Sequence, residues 1–437
     1  MASPANRVVI VGGGLSGLTA AVQLGRMRVP TVLFDDADEI GGRARTDRRD
    51  GFHMNFGPHR LYERGAAVRG LRALGVPVDS AARGPSGGFA IWRGEKHTLP
   101  VGYCSLLTTG LIGLSAKREI ARLLAAVPTV DVSVLERVPI AEWLRTEVRD
   151  PRVVELILAM VRFTTYSDEP NRQSAAAALA QLTLSLTGSV LFVHRGWASL
   201  VGALRTAAAA NGATIVAGRR VASLNVAARR AEGVILEDGT LVACRAVIIA
   251  TGPRPAERLL NGAAATEFVT TPIRVAALDV ALRQLPVKRA VFAIGVDVPV
   301  CFSADSTVAR VAPGTGAVVH LAKYLPTGVR GSADDEQHLE RTLDLLQPGW
   351  RKVVVFRRFL ATVVVSHGLV TAESGGFAGR PTVRMSGLDN VFLAGDWIGP
   401  TGQLADASVS SGIQAAQAAG QLMAGDKEID WHRAMRC

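Results

Sequence analysis

RVVIVGGGLSGLTAAVQLGRMRVPTVLFDD, residues 7–36, sets two wholly apolar runs on either side of one amphipathic segment. RVVIV (7–11) lacks the polar alternation of a half-buried strand and reads as a strand covered on both faces. Apolar residues then recur at helical spacing from about Leu15 to Met27, Pro30 punctuates the chain, and TVLFD (31–35) repeats the buried-strand pattern. This is a strand-helix-strand unit, which belongs in a parallel sheet of α/β class. The turn is Gly12-x-Gly14-x-x-Gly17. Gly12 permits the tight turn, Gly14 lets backbone approach a pyrophosphate, and Gly17 allows the helix to lie close on the strand. The first helical turn, with Leu15 and Ser16, points unpaired N–H groups and the positive end of its dipole at that pyrophosphate. Asp35 ends the second strand with Asp36 beside it, where an acid takes ribose hydroxyls and disfavours a 2′-phosphate. A dinucleotide without that phosphate, FAD or NAD, is the expected ligand.

Outward from this unit, Gly41-Gly42-Arg43-Ala44-Arg45-Thr46 follows six residues after Asp35. An NAD dehydrogenase has no need of two further glycines and two arginines, which bring more donors to a pyrophosphate. Buried-strand signals return in RAVIIATG (245–252) and NVFLAGD (390–396), the latter leading into a small-residue helix expected over about 403–424. Together these segments resemble the flavoprotein superfamily of amine oxidases, phytoene-type and squalene-associated desaturases and protoporphyrinogen oxidases, whose second signature reads GGRxxT. HRGWASLVGALRTAAAANGATIV (194–216) resembles that superfamily's helix before the adenine-side strand.

The resemblance implies FAD as cofactor, with Val221 touching adenine through its backbone, Ala250, Thr251 and Gly252 at a second turn, and Gly395 and Asp396 at the ribityl chain. It places the start of the C-terminal helix, with Leu404, Ala405 and Ser408, at the flavin ring, where a helix dipole favours the reduced anion. It also brings Phe56-Gly57-Pro58-His59-Arg60 beside the ring, making His59 and Arg60 the candidate catalytic groups, with Arg60 orienting a polar or anionic part of the substrate. Lys323, in VVHLAKYLP, is a third candidate, the flavin-facing lysine of amine oxidases; His320 beside it reads as structural.

Two departures from amine oxidases stand out. Counting back from Gly412, the position of an aromatic wall falls on Leu404, and an aliphatic side chain cannot steer an amine through a ring face. No cysteine stands in Pro400-Thr401-Gly402-Gln403, so FAD is expected to be held noncovalently. Trp397 draws notice because it follows Asp396, whereas core packing is the default for Trp92, Trp143, Trp197 and Trp350.

The 437 residues are 48% hydrophobic and 20% charged, enough for a large core and inconsistent with a disordered chain. The net charge of +11 comes from 43 arginines and six lysines with no run of five or six cations, so nucleic acid is not an expected partner. Four scattered cysteines (Cys104, Cys244, Cys301, Cys437) suggest neither a disulfide framework nor a metal site. A strand begins almost at once, leaving no room for a signal peptide. No apolar run reaches the ~18 residues of a membrane span. A cytoplasmic protein is expected, with peripheral contact at the inner membrane face as an option. The apolar stretch 103–115, with Leu156, Ile157, Leu158 and Met160, reads as a lipophilic tunnel, a bilayer-dipping surface or plain helix core.

The expected architecture is a discontinuous Rossmann-like FAD-binding domain (1–80, 191–262 and 379–425) with an inserted mixed α+β substrate domain (81–190, mostly helical, and 263–378) and a tail (426–437). The function that follows is a two-electron oxidation, a desaturation or dehydrogenation by hydride transfer to flavin N5. The substrate would be a lipophilic or secondary-metabolite small molecule, with oxygen or a quinone-like electron acceptor. The alternatives are an amine or L-amino-acid oxidase and a redox-neutral isomerase, in a monomer or homodimer.

Overall fold

The computed structural model describes residues 6–83, 87–260 and 267–434; Cys437 and the first five residues of the N-terminal reading lie outside the described residues. The apolar run Val8–Val11 forms β1, Leu15–Arg26 forms α1, and Thr31–Phe34 forms β2. β1 lies at the centre of a five-stranded sheet of order Thr214–Val216, β2, β1, Ala246–Ile249, Val391–Leu393. Every neighbouring pair in it is parallel. All four residues of β1 are buried because helices or a second sheet cover both faces, which is why this strand reads as continuous apolar sequence.

Parallel strands end on the same side, so the turns after β1 (Gly12), β2 (Asp35), Ala246–Ile249 (Ala250) and Val391–Leu393 (Ala394) converge at one edge of the sheet, where α/β sheets form a ligand crevice. A Cβ at Gly17 would overlap the Gly12 carbonyl oxygen, and Gly12 itself has φ +107°. The third glycine therefore sets the approach of α1 to the strand, and the first sets the turn. The C-terminal helix, Leu404–Ala434, runs about ten residues beyond its expected end. It packs along α1, with Gly412 against the Ser16 backbone.

A second sheet has seven strands in the order Val354–Ser366, Ile273–Leu282, Ala317–Leu325, Val300–Ala304, Phe292–Gly295, Phe89–Trp92, Glu95–Thr98. The hairpin 89–98 was not anticipated in a segment expected to be mostly helical; the helices Leu114–Ala126, Ile140–Glu147, Pro151–Thr165 and Ala175–Thr187 fill the rest of it. The helix Ala333–Leu346 covers one face of this sheet through Leu278, Val280, Val319 and Leu321. The opposite face turns toward the Asn55–Arg60 segment and the helices. Within 103–115, Leu111 and Ile112 are core while Leu107 and Leu114 are 63% and 66% exposed. Leu156, Ile157 and Met160 are buried in the helical core, with Leu158 half-buried against it, as the plain-core reading expects. No helix among the described residues is long and apolar enough to cross a membrane.

Candidate active site

At the convergent strand ends opens a cavity of about 950 Å³, at the upper end of the roughly 300–1,000 Å³ of small-molecule sites. Gly12, Gly14, Leu15, Ser16, Asp35 and Asp36 line it from the first strand-helix-strand unit, and Gly41, Gly42, Arg43 and Arg45 from the following loop. Pro58, His59, Arg60, Val221, Ala250, Thr251, Gly252, Gly395, Asp396, Leu404, Ala405 and Ser408 complete the sequence-derived set on its wall. Gly17 and Gly57 stand just behind the wall: Gly17 packs on Gly12, and the Gly57 N–H donates to Asp279 Oδ2 at 3.3 Å.

The Gly12–Gly17 end of the cavity has the open helix terminus that its motif requires. Gly14 caps α1 without a side-chain hydrogen bond, and a Cβ built on it would meet no atom within 4 Å. The first N–H groups of the helix therefore face open cavity. Asp35 Oδ2 accepts the Gly13 N–H at 2.5 Å and Oδ1 accepts the Ala37 N–H at 2.9 Å, which fixes the carboxylate at the rim.

Part of the lining was not legible in sequence: Val275, Leu360, Val363 and Tyr166 join the expected Leu404 on the cavity wall. Tyr166 caps its helix in a left-handed conformation, φ +60°, and its hydroxyl donates to the Pro58 carbonyl at 3.1 Å. Burial pushes the Tyr166 phenol well above its ordinary pKa. Trp197 lines the cavity, its indole Nε1–H buried without a partner, and stacks edge-on with His59 at 5.0 Å. It is a core residue, as expected, 5% exposed, and it borders the cavity as well. Trp397, the tryptophan singled out beforehand, is also in the core, its indole N–H on the Thr251 carbonyl at 3.0 Å.

His59 has Nδ1 3.0 Å from the Gly57 carbonyl and Nε2 3.0 Å from the Arg43 carbonyl. Burial lowers its pKa, and a neutral ring can donate to only one of the two. Arg60 also reaches the wall, but its guanidinium is closed by Asp305 at 3.4 Å and lies 4.7 Å over the Phe192 ring. From there a buried chain of alternating charge runs through the sheet. Asp305 accepts from Ser303 at 2.5 Å and lies 3.8 Å from His320 Nε2; His320 Nδ1 is 2.6 Å from Asp279; Asp279 accepts from Arg358 at 2.8 Å, and Arg358 also donates to the Asn55 carbonyl. Burial alone would lower His320, but Asp279 and Asp305 outweigh it and raise its pKa.

Lys323 requires a correction. It faces the helix Ala333–Leu346, where Nζ donates to Asp335 at 2.5 Å, and it is not part of the cavity. In a strand, neighbours alternate faces: His320 and Ala322 point to the cavity side, which leaves Lys323 on the other.

The family model for flavin-containing amine oxidoreductases matches residues 15–419. The chain belongs to this family. AofH of Mycobacterium tuberculosis, which carries the name flavin-containing monoamine oxidase, is 31% identical over 173 residues, 38% of this chain and 37% of AofH. The matched stretch thus spans well under half of that relative. A coproporphyrinogen III oxidase of Propionibacterium freudenreichii is 35% identical over 106 residues, 23% of this chain and 20% of that protein. An oxidoreductase from Methanosarcina mazei shares the fold with a TM-score of 0.72 at 16% identity, over 94% of this chain and 99% of that one. The family implies a flavin, and the cavity fits one: bare Gly14 and the uncapped N-terminus of α1 border the space it would fill.

Proposed function

We propose that the protein is an oxidoreductase that holds FAD noncovalently and takes two electrons from an uncharged, lipophilic substrate, with oxygen or a quinone-like molecule as acceptor. Its discontinuous FAD-binding domain would be built from 1–80, 191–262 and 379–425. Gly12, Gly14 and Arg43 would hold the diphosphate, Asp35 the ribose and Val221 the adenine, and the Leu404–Ser408 turn would meet the ring. Among the described residues Cys104, Cys244 and Cys301 stand outside the cavity wall, which supports noncovalent binding. When bound, the flavin supplies a hydride acceptor at N5. The chain positions the substrate carbon and excludes water: Val275, Leu360, Val363 and Leu404 make a dry wall, and Tyr166 braces the Pro58 carbonyl.

The observation that carries the substrate class is this aliphatic wall together with Arg60, whose charge Asp305 already neutralises. The second reading is an L-amino-acid oxidase. It is favoured by Arg60 reaching the cavity and by a stretch of 76 residues that is 45% identical to the L-amino acid oxidase of Cerastes cerastes. Anaerobic bleaching of the flavin spectrum with isoprenoids, porphyrinogens, amines and amino acids separates the two. Bleaching by an apolar compound is expected; bleaching by L-amino acids alone replaces the first reading with the second. Acid or heat should release the flavin, and flavin that stays with denatured protein refutes noncovalent attachment.

A further inference from the structure

Four neighbouring strands of the second sheet each place one polar residue at the same level. The registers put Arg358 opposite Asp279, Asp279 opposite His320 and His320 opposite Ser303. Residues directly opposite share a face, and here it is the face turned to the Asn55–Arg60 segment. Along Ile273–Leu282 the same face carries Val275, which lines the cavity, and Ala277, which a Cβ on Gly57 would meet at 3.5 Å. The row therefore runs directly behind the turn that carries Pro58, His59 and Arg60 into the cavity wall.

The charges of this row do not cancel. Asp279 Oδ1 lies 2.6 Å from His320 Nδ1, while Oδ2 accepts from Arg358 at 2.8 Å and from the Gly57 N–H at 3.3 Å. An ionised carboxylate only accepts, so His320 Nδ1 carries a hydrogen whatever the state of Nε2. Nε2 faces Asp305, 3.8 Å away, which is itself paired with Arg60 at 3.4 Å. His320 is 1% exposed, and with a carboxylate on either edge the imidazole is held as a cation. Among the described residues of this buried cluster, Arg60 and Arg358 balance Asp305 and Asp279, so the proton on His320 is one positive charge in excess. His59, the neighbouring imidazole in the wall, has its pKa lowered by burial and adds none. Asp47 meets the outer edge of Arg358 at 3.2 Å but is 48% exposed and screened by water. The cavity lies on the other side of the Gly57–Arg60 turn.

We propose that His320 is the cation that stabilises the negative charge left in the cavity when the cofactor is reduced, with Asp279 and Asp305 positioning it behind the Gly57–Arg60 turn. This rests on the FAD reading above. Hydride transfer brings two electrons and one proton to the flavin, so the neutral ring gains one unit of negative charge, and the oxidised substrate releases one proton to solvent. His320 does not line the cavity and is no catalytic residue: it acts through space, where a buried charge is screened far less than one in water.

The test is the equilibrium constant for two-electron reduction of the purified holoprotein, read by anaerobic titration against reference dyes from about pH 6 to about pH 9. It uses the wild type, His320→Gln, His320→Asn and Lys323→Gln. At the acid end both His320 variants should be reduced about tenfold less readily than the wild type, the scale of one unit charge acting through protein. Lys323→Gln removes a cation from the same strand but from its opposite face, and should stay within about twofold of the wild type. The His320 variants should lose about tenfold per pH unit, for one proton taken up with two electrons; the wild type should fall more steeply and approach them as His320 loses its charge. Should neither variant retain flavin, the wild-type slope decides: a fall steeper than about tenfold per pH unit supports the proposal and a strict tenfold fall refutes it. Equal constants in the wild type and both His320 variants overturn it, as does an equal loss in Lys323→Gln, which makes the effect one of overall charge. Equal constants together with weaker benzoate binding, seen as a smaller perturbation of the flavin spectrum, overturn it in favour of an anionic substrate facing His320. A wild-type protein that carries no flavin overturns the cofactor reading itself, a result distinct from all of these.

Discussion

Replacing Asp305 with alanine would strand the Arg60 guanidinium. The two side chains are 4% and 6% exposed, and among the described residues Arg60 has no other carboxylate on it, its further contacts being the His59 carbonyl at 3.0 Å and the Phe192 ring. Breaking one side of a buried ion pair costs about 3–5 kcal/mol, because the remaining charge keeps its desolvation penalty. Ser303 and His320 would lose a partner as well, while the ring stacking returns part of the loss, so the lower end, about 3 kcal/mol, is expected. At about 2.1 cal/mol/K per residue, 437 residues unfolding together have an entropy of roughly 0.9 kcal/mol/K, which converts this to a fall in Tm of about 3 °C. Arg60→Met/Asp305→Ala removes both charges and should be less destabilised than Asp305→Ala alone. The assay is urea unfolding of the four proteins in a double-mutant cycle, with flavin content followed in parallel. A cost below about 1 kcal/mol for Asp305→Ala, or strict additivity within about 0.5 kcal/mol, would refute the reasoning that Asp305 is what makes Arg60 tolerable at the wall.

Asp35→Ala should weaken FAD retention about ten- to a hundredfold, measured by flavin fluorescence quenching, with little change in turnover of the enzyme that remains loaded. The raised pKa of His320 means that its contribution to stability is complete below its ordinary value near 6.5 and is lost as pH rises through the folded value. Thermal melts across neutral to alkaline pH should therefore show a decline that His320→Gln removes; an identical decline in the variant would place the titration elsewhere. Simple primary amines should be poor substrates if Leu404, which lines the cavity, holds the place that the resemblance gives to an aromatic wall. Turnover of benzylamine at ordinary enzymatic rates, about 1–1,000 per second, would count against this and restore the amine-oxidase reading.

The sequence alone determined whatever depends on neighbours in the chain. The turn at Gly12, the packing of Gly17, the acid at Asp35 and the buried strands 8–11, 31–34, 246–249 and 391–393 are local requirements of one strand-helix-strand geometry, so spacing and residue type suffice to find them. Only the tertiary structure decided which charges are available. Arg43 and Asp396 are 353 residues apart and Arg60 and Asp305 are 245 apart, so no periodicity or motif links them, yet these pairings determine which guanidinium can still act on a ligand. The rest of the aliphatic wall is equally hidden, since Val275 and Leu360 join the expected Leu404 from two separate strands. Lys323 marks the boundary between the two kinds of knowledge. Strand alternation puts it on the face opposite His320, which the sequence shows, but which face meets the cavity was settled by the helix Ala333–Leu346 burying the other.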